Sequence, residues 1–179
     1  SRNRNRLCVL DFGGALGTSY IQNRQFLAHL DSLRWHIVEQ PPVAAAGRRL
    51  FEDEHLRFFD SIEDATAAAA PDIVMLCGVV QYLPEPFELI AGIQALAPSL
   101  IVLDRVVVLE EAPTRLTVQT VPPRIYDASY PCWVFNRGAV VEAFADGYRI
   151  LLHCPAHADE IVYLLDAKAT YGGWLFERR

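Results

Sequence analysis

Basic charge is what this chain lacks most. Lys and Arg together number 16 against 22 Asp and Glu, a net charge of −6 over 179 residues. A nucleic-acid-binding surface needs a basic face. The basic clusters here sit at the two ends, Arg2, Arg4 and Arg6, then Arg178 and Arg179, and read as solvated tails. Cysteine is scarce as well: Cys8, Cys77, Cys132 and Cys154, with no CxxC and no Cys/His pair at zinc spacing. That excludes a zinc-finger core and a disulfide framework, and Cys8 and Cys77 fall inside apolar runs where a thiol acts as a small core residue. No metal site is expected. Long apolar runs are missing too. None approaches the roughly 20 residues of a membrane span, and no signal-peptide pattern is present, so the expected setting is cytoplasmic with reduced thiols. The sequence also shows no internal repeat and no low-complexity linker. A length of 179 residues suits one domain, 1–179, with one sizeable core.

What is there is an alternation of apolar strands and helical patterns, with 52% hydrophobic residues. Strands are expected at residues 7–11, 35–39, 56–59, 73–78 and 100–104. Helices are expected at 18–33, 41–51, from 62 through an alanine-rich stretch, and from about 86 to 97. Thr18 or Ser19 is the expected cap of the first helix, and Ser61 with Asp64 has the shape of a capping box. Strict alternation implies a parallel sheet with right-handed crossovers, covered by helices on both faces. After residue 104 the rhythm changes. Residues 114–121 alternate as a half-exposed strand, 122–133 read as irregular, and 136–144 as a helix capped by Asn136. Residues 148–154 and 160–169 read as two final strands, joined by a turn with His157 and Asp159 that is too short for a crossover helix, hence antiparallel. The expected fold is α/β, Rossmann-like, with a seven-stranded mostly parallel sheet and a terminal antiparallel strand.

In an open α/β sheet the ligand edge lies at the strand C-termini. Asp11, Gly13, Gly14, Gly17, Glu39, Asp60, Ser61, Cys77 and Gly78 all fall at or just beyond such ends. The nicotinamide fingerprint GxGxxG fails in this register, because Phe12 takes the first glycine position, with Gly14 and Gly17 in the others. His29, His36 and His55 fall away from that edge and read as structural, whereas His153 can reach it.

The acid–glycine turn Asp11–Gly17, the acid Glu39 and the terminal antiparallel strand resemble the class I S-adenosylmethionine-dependent methyltransferases, over essentially the whole chain. More narrowly, Leu10-Asp11-Phe12-Gly13-Gly14, Val118-Gln119 and Ser129-Tyr130-Pro131-Cys132-Trp133 are similar to a family of bacterial methyltransferases associated with surface-polysaccharide gene neighbourhoods. That class reads acid-x-Gly-x-Gly-x-Gly; here Ala15 stands at the middle glycine, so Gly14 is expected to take the conformational burden. The resemblance implies S-adenosyl-L-methionine as cofactor. Asp11 and residues 13–17 would face its methionyl part, Glu39 its ribose, Asp60 and Ser61 its adenine, and Cys77 and Gly78 its ammonium.

Gln81 and Tyr82 would lie beside the transferred methyl, with Asp104 and His153 as further catalytic candidates. Many small-molecule methyltransferases carry His near the position of Gln81, and glutamine cannot act as a base. Arg105, Arg124, Tyr126, Tyr130 and Trp133 are the expected acceptor-binding residues, a mix of cations and flat faces suited to a sugar or sugar phosphate. The expected partner is thus a small molecule, with O-methylation of a saccharide intermediate as its first form. Two rivals are an NAD(P)-dependent sugar oxidoreductase, weakened by the lack of a clear Tyr-x-x-x-Lys pair, and a non-catalytic cofactor-binding module. The chain does not begin with Met, and an N-terminal capping segment is expected to be lacking.

Overall fold

The structure is a computed structural model that describes residues 5–155 and 161–179. The turn with His157 and Asp159, like Arg2 and Arg4, lies outside the described residues. The chain divides into two compact units, Ser1–Cys77 with Leu96–Val102, and Gly78–Ala95 with Leu103–Arg179.

The first unit holds β1 (Arg6–Phe12), α1 (Thr18–Leu27), β2 (Ser32–Val38), α2 (Pro41–Leu50), β3 (Leu56–Phe59), α3 (Ile62–Ala68), β4 (Ile73–Cys77) and the start of β5 (Leu100–Leu109). Its strands follow the order β3-β2-β1-β4-β5. β1 runs parallel to β2 and to β4, and β2 parallel to β3. Val9, Trp35, Ile37, Leu56 and Phe58 pack with Tyr20 and Ala44 as one core. Burying each large side chain of this kind contributes roughly 1.5–3 kcal/mol.

Helix starts follow local chemistry. The Ser61 hydroxyl accepts from the Asp64 amide at 3.0 Å, the expected cap of α3. α1 departs from expectation. Its N-cap is Gly17 at φ 90°, with no side-chain cap, and it ends at Leu27 because Ser32 already begins β2. Ile21 and Phe26, apolar residues near helical spacing, are exposed, and the buried residue is Tyr20. The Tyr20 hydroxyl donates to Asp53 at 2.9 Å, which ties α1 to the loop before β3.

His36 sits in the middle of β2 rather than at its start, buried, with its ring 4.8 Å from that of Phe59. Its Nδ1 lies 3.1 Å from the Ala65 carbonyl. Burial, aided by Arg34 and Arg57, pulls its pKa below the ordinary histidine value, against the Ala65 carbonyl. The neutral ring is therefore the folded form, while the unfolded chain takes up a proton near pH 6.5. Stability from neutral His36 is present above about pH 6.5 and is lost as pH falls below it. The urea midpoint should drop between pH 7 and pH 5, and His36→Phe should flatten that drop; an unchanged slope refutes the assignment.

The second unit holds a 3₁₀ turn (Val80–Tyr82), α4 (Pro86–Ala95), the rest of β5, β6 (Arg115–Thr120), β7 (Ser129–Asn136), α5 (Arg137–Glu142), β8 (Tyr148–Pro155), β9 (Ile161–Tyr163) and β10 (Lys168–Arg178). β10 lies between β5 and β8 and is antiparallel to β8. β5 passes its expected end at Asp104, turns at Arg105 (φ 54°), and continues through buried Val106–Leu109. That continuation pairs with β7, which is antiparallel to β6 from Arg115 opposite Val134 to Thr120 opposite Ser129. Residues 129–133, expected to be irregular, are therefore strand. The last strand is β10 rather than residues 160–169, of which Ile161–Tyr163 form the short β9. Ten strands are present among the described residues, seven of them on the main path of the sheet, the expected number, with β6, β7 and β9 off it. The mixed α/β architecture, with its mostly parallel sheet, flanking helices and terminal antiparallel strand, is the one expected. Among the described residues no helix is long and apolar enough to cross a membrane, and no group of three His, Cys, Asp or Glu is placed to hold a metal ion.

Candidate functional site

Register builds the first part of the site. Phe12 is opposite Val38 and Leu76, and Val38 is opposite Phe59. β1, β2, β3 and β4 of the first unit thus end along one edge, at Phe12, Val38, Phe59 and Cys77. The Gly13 amide donates to the Val38 carbonyl at 2.9 Å and the Glu39 amide to the Phe59 carbonyl at 3.1 Å, which fixes these exits side by side.

The loop at residues 13–17 winds around Asp11, a carboxylate only 1% exposed that accepts from Trp35 Nε1 at 3.2 Å. Gly13 (φ 74°) and Gly17 (φ 90°) supply left-handed conformations. The third left-handed residue is Ala15 itself, at φ 50°, which corrects the expectation that Gly14 would take this burden. Gly14 is needed for a different reason: a Cβ there would lie 2.6 Å from the Asp11 carboxyl carbon. Sequence pattern marks the glycine but not which constraint it satisfies.

Glu39 is half-buried and pinned by backbone donors. The Ala15 amide reaches Oε1 at 3.0 Å and the Gln40 amide reaches Oε2 at 2.9 Å. Each oxygen keeps acceptor capacity beyond its one bond. Asp60 is exposed and paired with Arg48 Nη2 at 3.1 Å, a partner the sequence did not signal. The Ser61 hydroxyl is already engaged in capping α3 and donates to the Asp64 carboxylate at 2.8 Å.

The second unit holds a pocket of about 630 Å³ lined by Gln81, Tyr82, Leu83, Pro84, Leu116, Tyr126, Tyr130, Pro131 and Trp133. It gathers five of the sequence-selected residues: Gln81, Tyr82, Tyr126, Tyr130 and Trp133. Trp133 Nε1 donates to the Leu83 carbonyl at 3.0 Å, and Tyr82 meets Tyr130 edge-on with centroids 5.4 Å apart. The Tyr82 hydroxyl donates to Gln119 Oε1 at 3.1 Å. Gln119 was visible only as part of the Val118-Gln119 resemblance. Gln81 is 2% exposed; its Nε2 donates to the Arg105 carbonyl at 3.1 Å, while its Oε1 is buried with no hydrogen-bond partner.

Burial, with the Cys132 thiol, pushes the Tyr82 pKa above the ordinary phenol value, against its side-chain hydrogen bonds with Gln81 and Gln119. Tyr130 is pushed up to about 12, first by its hydrogen bond with Tyr126 and then by burial. Both stay protonated at neutral pH, so neither is a base.

The remaining candidates do not line this pocket. Gly78 (φ 68°) donates its amide to the Asp104 carbonyl at 2.8 Å, and the Asp104 carboxylate lies 3.7 Å from Arg105 Nε. Arg124 is exposed in the segment between β6 and β7. His153 is exposed on β8, its ring 5.1 Å from that of Trp174. Cys77 is half-buried at the end of β4. The pocket residues Leu83, Pro84, Leu116 and Pro131 were not anticipated, because isolated apolar residues in loops and edge strands carry no pattern.

No family model matches the chain, and no curated protein matches it. Solved structures do. The N-terminal domain of EvdMO1 with SAH bound superposes with a TM-score of 0.62 at 12% identity, over 97% of this chain and 74% of that one. Magnesium protoporphyrin IX methyltransferase (ChlM) from Synechocystis PCC 6803 with bound SAM gives 0.59 at 14% identity, over 99% and 73%. The glycopeptide N-methyltransferase MtfA complexed with sinefungin gives 0.57 at 13% identity, over 93% and 86%. The likeness is one of fold, a Rossmann-like mixed α/β architecture shared with these structures.

Proposed function

We propose that this protein is an S-adenosylmethionine-dependent methyltransferase acting on a small-molecule acceptor. The observation that carries the proposal is Glu39: a carboxylate at the C-terminal end of β2, held by the Ala15 and Gln40 amides with acceptor capacity to spare. That donor set suits two vicinal ribose hydroxyls, which one carboxylate can accept together. Asp11 and residues 13–17 would hold the methionyl part. The Asp60–Arg48 pair and the capped Ser61 would border the adenine as fixed walls rather than as free hydrogen-bonding groups.

S-adenosylmethionine supplies a methyl on a sulfonium, a leaving group that is already activated. The chain's own work is then to bind, align and exclude water. The neighbours' names support this reading, since two of them are methyltransferases and the structures hold SAM, SAH or sinefungin. For the acceptor, the pocket offers aromatic faces on which a flat ring can stack, and neither Arg105 nor Arg124 lines it.

Isothermal titration with S-adenosylmethionine and S-adenosylhomocysteine should give saturable heat. Glu39→Ala should weaken both by at least tenfold, about 1.4 kcal/mol, with an unchanged circular dichroism spectrum. No heat from either ligand, or an unaffected Glu39→Ala, overturns the assignment.

A further inference from the structure

We infer that the pocket of the second unit takes an uncharged aromatic amine, and that the nitrogen to be methylated donates an N–H to Gln81 Oε1. The inference rests on the methyltransferase reading above and specifies its acceptor.

The amide orientation of Gln81 comes first. Its Nε2 faces a carbonyl, that of Arg105, at 3.1 Å, so the nitrogen must be on that side and the oxygen on the other. That oxygen is buried and has no partner. A buried acceptor left unpaired is costly, and a ligand N–H or O–H in the pocket would satisfy it.

The other polar groups of the pocket are committed. Trp133 Nε1 is bound to the Leu83 carbonyl, the Tyr82 hydroxyl to Gln119, and Tyr130 to Tyr126. The rest of the lining is Leu83, Pro84, Leu116 and Pro131. A polyhydroxylated ring needs many partners and would find few here, whereas a flat apolar ring matches the Tyr and Trp faces. The volume of about 630 Å³ falls in the range that holds small organic ligands.

The lining carries no carboxylate, so an alkylamine, protonated at neutral pH, would enter without a counter-ion. An aromatic amine enters neutral. The lining also carries no base, since Gln81 cannot take a proton and Tyr82 and Tyr130 hold theirs. A hydroxyl acceptor would need one. A neutral amine does not: its nitrogen lone pair forms the new N–C bond, the S–C bonding pair returns to sulfur as a thioether, and the proton of the resulting ammonium leaves to water.

The test uses the full chain and four probes: 6-aminoquinoline, 6-hydroxyquinoline, quinoline and methyl glucoside. By calorimetry 6-aminoquinoline should bind about three- to tenfold more tightly than quinoline, the span of one neutral hydrogen bond, and methyl glucoside should not bind. Gln81→Leu should erase the difference between amine and quinoline. With S-adenosylmethionine present, 6-aminoquinoline should gain one methyl on nitrogen, at a rate flat from pH 6 to 9, and 6-hydroxyquinoline should turn over more slowly. The ligand-side comparison needs no variant, so a Gln81→Leu chain that fails to fold leaves it intact. Equal binding of amine and quinoline, preferred binding of the glucoside, or faster methylation of the hydroxyl compound overturns the inference. Failure of S-adenosylmethionine to bind overturns the methyltransferase reading instead, and the acceptor-binding arms still report on the pocket.

Discussion

Gly14→Ala will disrupt the proposed cofactor site and cost part of the protein's stability, while Ala15→Gly, one residue on, will stabilise it. The two positions look alike in sequence and are opposite in physics. A Cβ on residue 14 would lie 2.6 Å from Asp11 Cγ and 2.7 Å from Oδ2, well inside contact distance. Asp11 has nowhere to go: it is 1% exposed and bonded to Trp35 Nε1. Overpacking of this kind costs roughly 1–3 kcal/mol, and a domain of this size loses roughly 2–4 °C in Tm per kcal/mol. Relief would come only by moving the loop, which also carries the Ala15 amide off Glu39. S-adenosylmethionine affinity should therefore fall by more than tenfold together with Tm. At residue 15 the strain is already present, as φ 50° in a residue with a Cβ, which costs roughly 1–2 kcal/mol. Glycine removes that strain and returns about 0.4–1 kcal/mol of it to unfolded-state entropy. Ala15→Gly should thus raise Tm slightly and leave cofactor binding intact. A tolerated Gly14→Ala, or a destabilising Ala15→Gly, would show that the loop is not wound as described.

The first half of the fold was legible because each element carried its own local signal. Apolar runs bounded by turns gave β1 through β4, and Ser61 and Asn136 announced the helices they cap. The misreadings share a cause: a long-range contact overrode the local pattern. Ile21 and Phe26 have helical spacing, yet α1 buries Tyr20, because the Tyr20 hydroxyl reaches Asp53, 33 residues away. β5 seemed to end at the Asp104-Arg105 pair, but Arg105 adopts a left-handed turn and the strand resumes against β7. Residues 129–133 read as irregular because Pro131 cannot donate to a ladder, and it sits opposite Val118 in a two-strand pairing.

β10 was hidden by Gly172 and Gly173, which weaken any strand pattern. Both are there for close approach. A Cβ at 173 would meet Asp104 Oδ1 at 2.7 Å, and one at 172 would meet the Trp174 ring at 2.4 Å. In the pocket, aromatic and polar candidates were visible one by one. The orientation of the Gln81 amide was not, since it depends on a carbonyl 24 residues away.

Gly47→Ala should destabilise the first unit, and its effect should depend on Phe58. Gly47 is a buried helix residue of α2, a place where alanine is normally favoured by roughly 1 kcal/mol. Here a Cβ would lie 2.4 Å from both Phe58 Cδ1 and Cε1. The ring cannot rotate away freely, because Phe58 is 3% exposed and packed among Leu56, Ile37 and Trp35. Steric cost of roughly 1–3 kcal/mol therefore outweighs the gain in helix propensity, and Tm should fall by several degrees at the scaling of roughly 2–4 °C per kcal/mol. The same contact holds α2 at its height over β3, where Arg48 reaches the Phe58 carbonyl at 3.2 Å and the Asp60 carboxylate at 3.1 Å. Lifting the helix should loosen that pair and weaken S-adenosylmethionine binding, by less than Glu39→Ala does. A double-mutant cycle with Phe58→Leu separates the causes. Phe58→Leu alone creates a cavity and destabilises, but it makes room for the new methyl, so the double variant should be more stable than the sum of the two single changes by roughly 1 kcal/mol or more. Additive losses would mean that residue 47 is not in contact with the ring, and that the seating of α2 on β3 is set elsewhere.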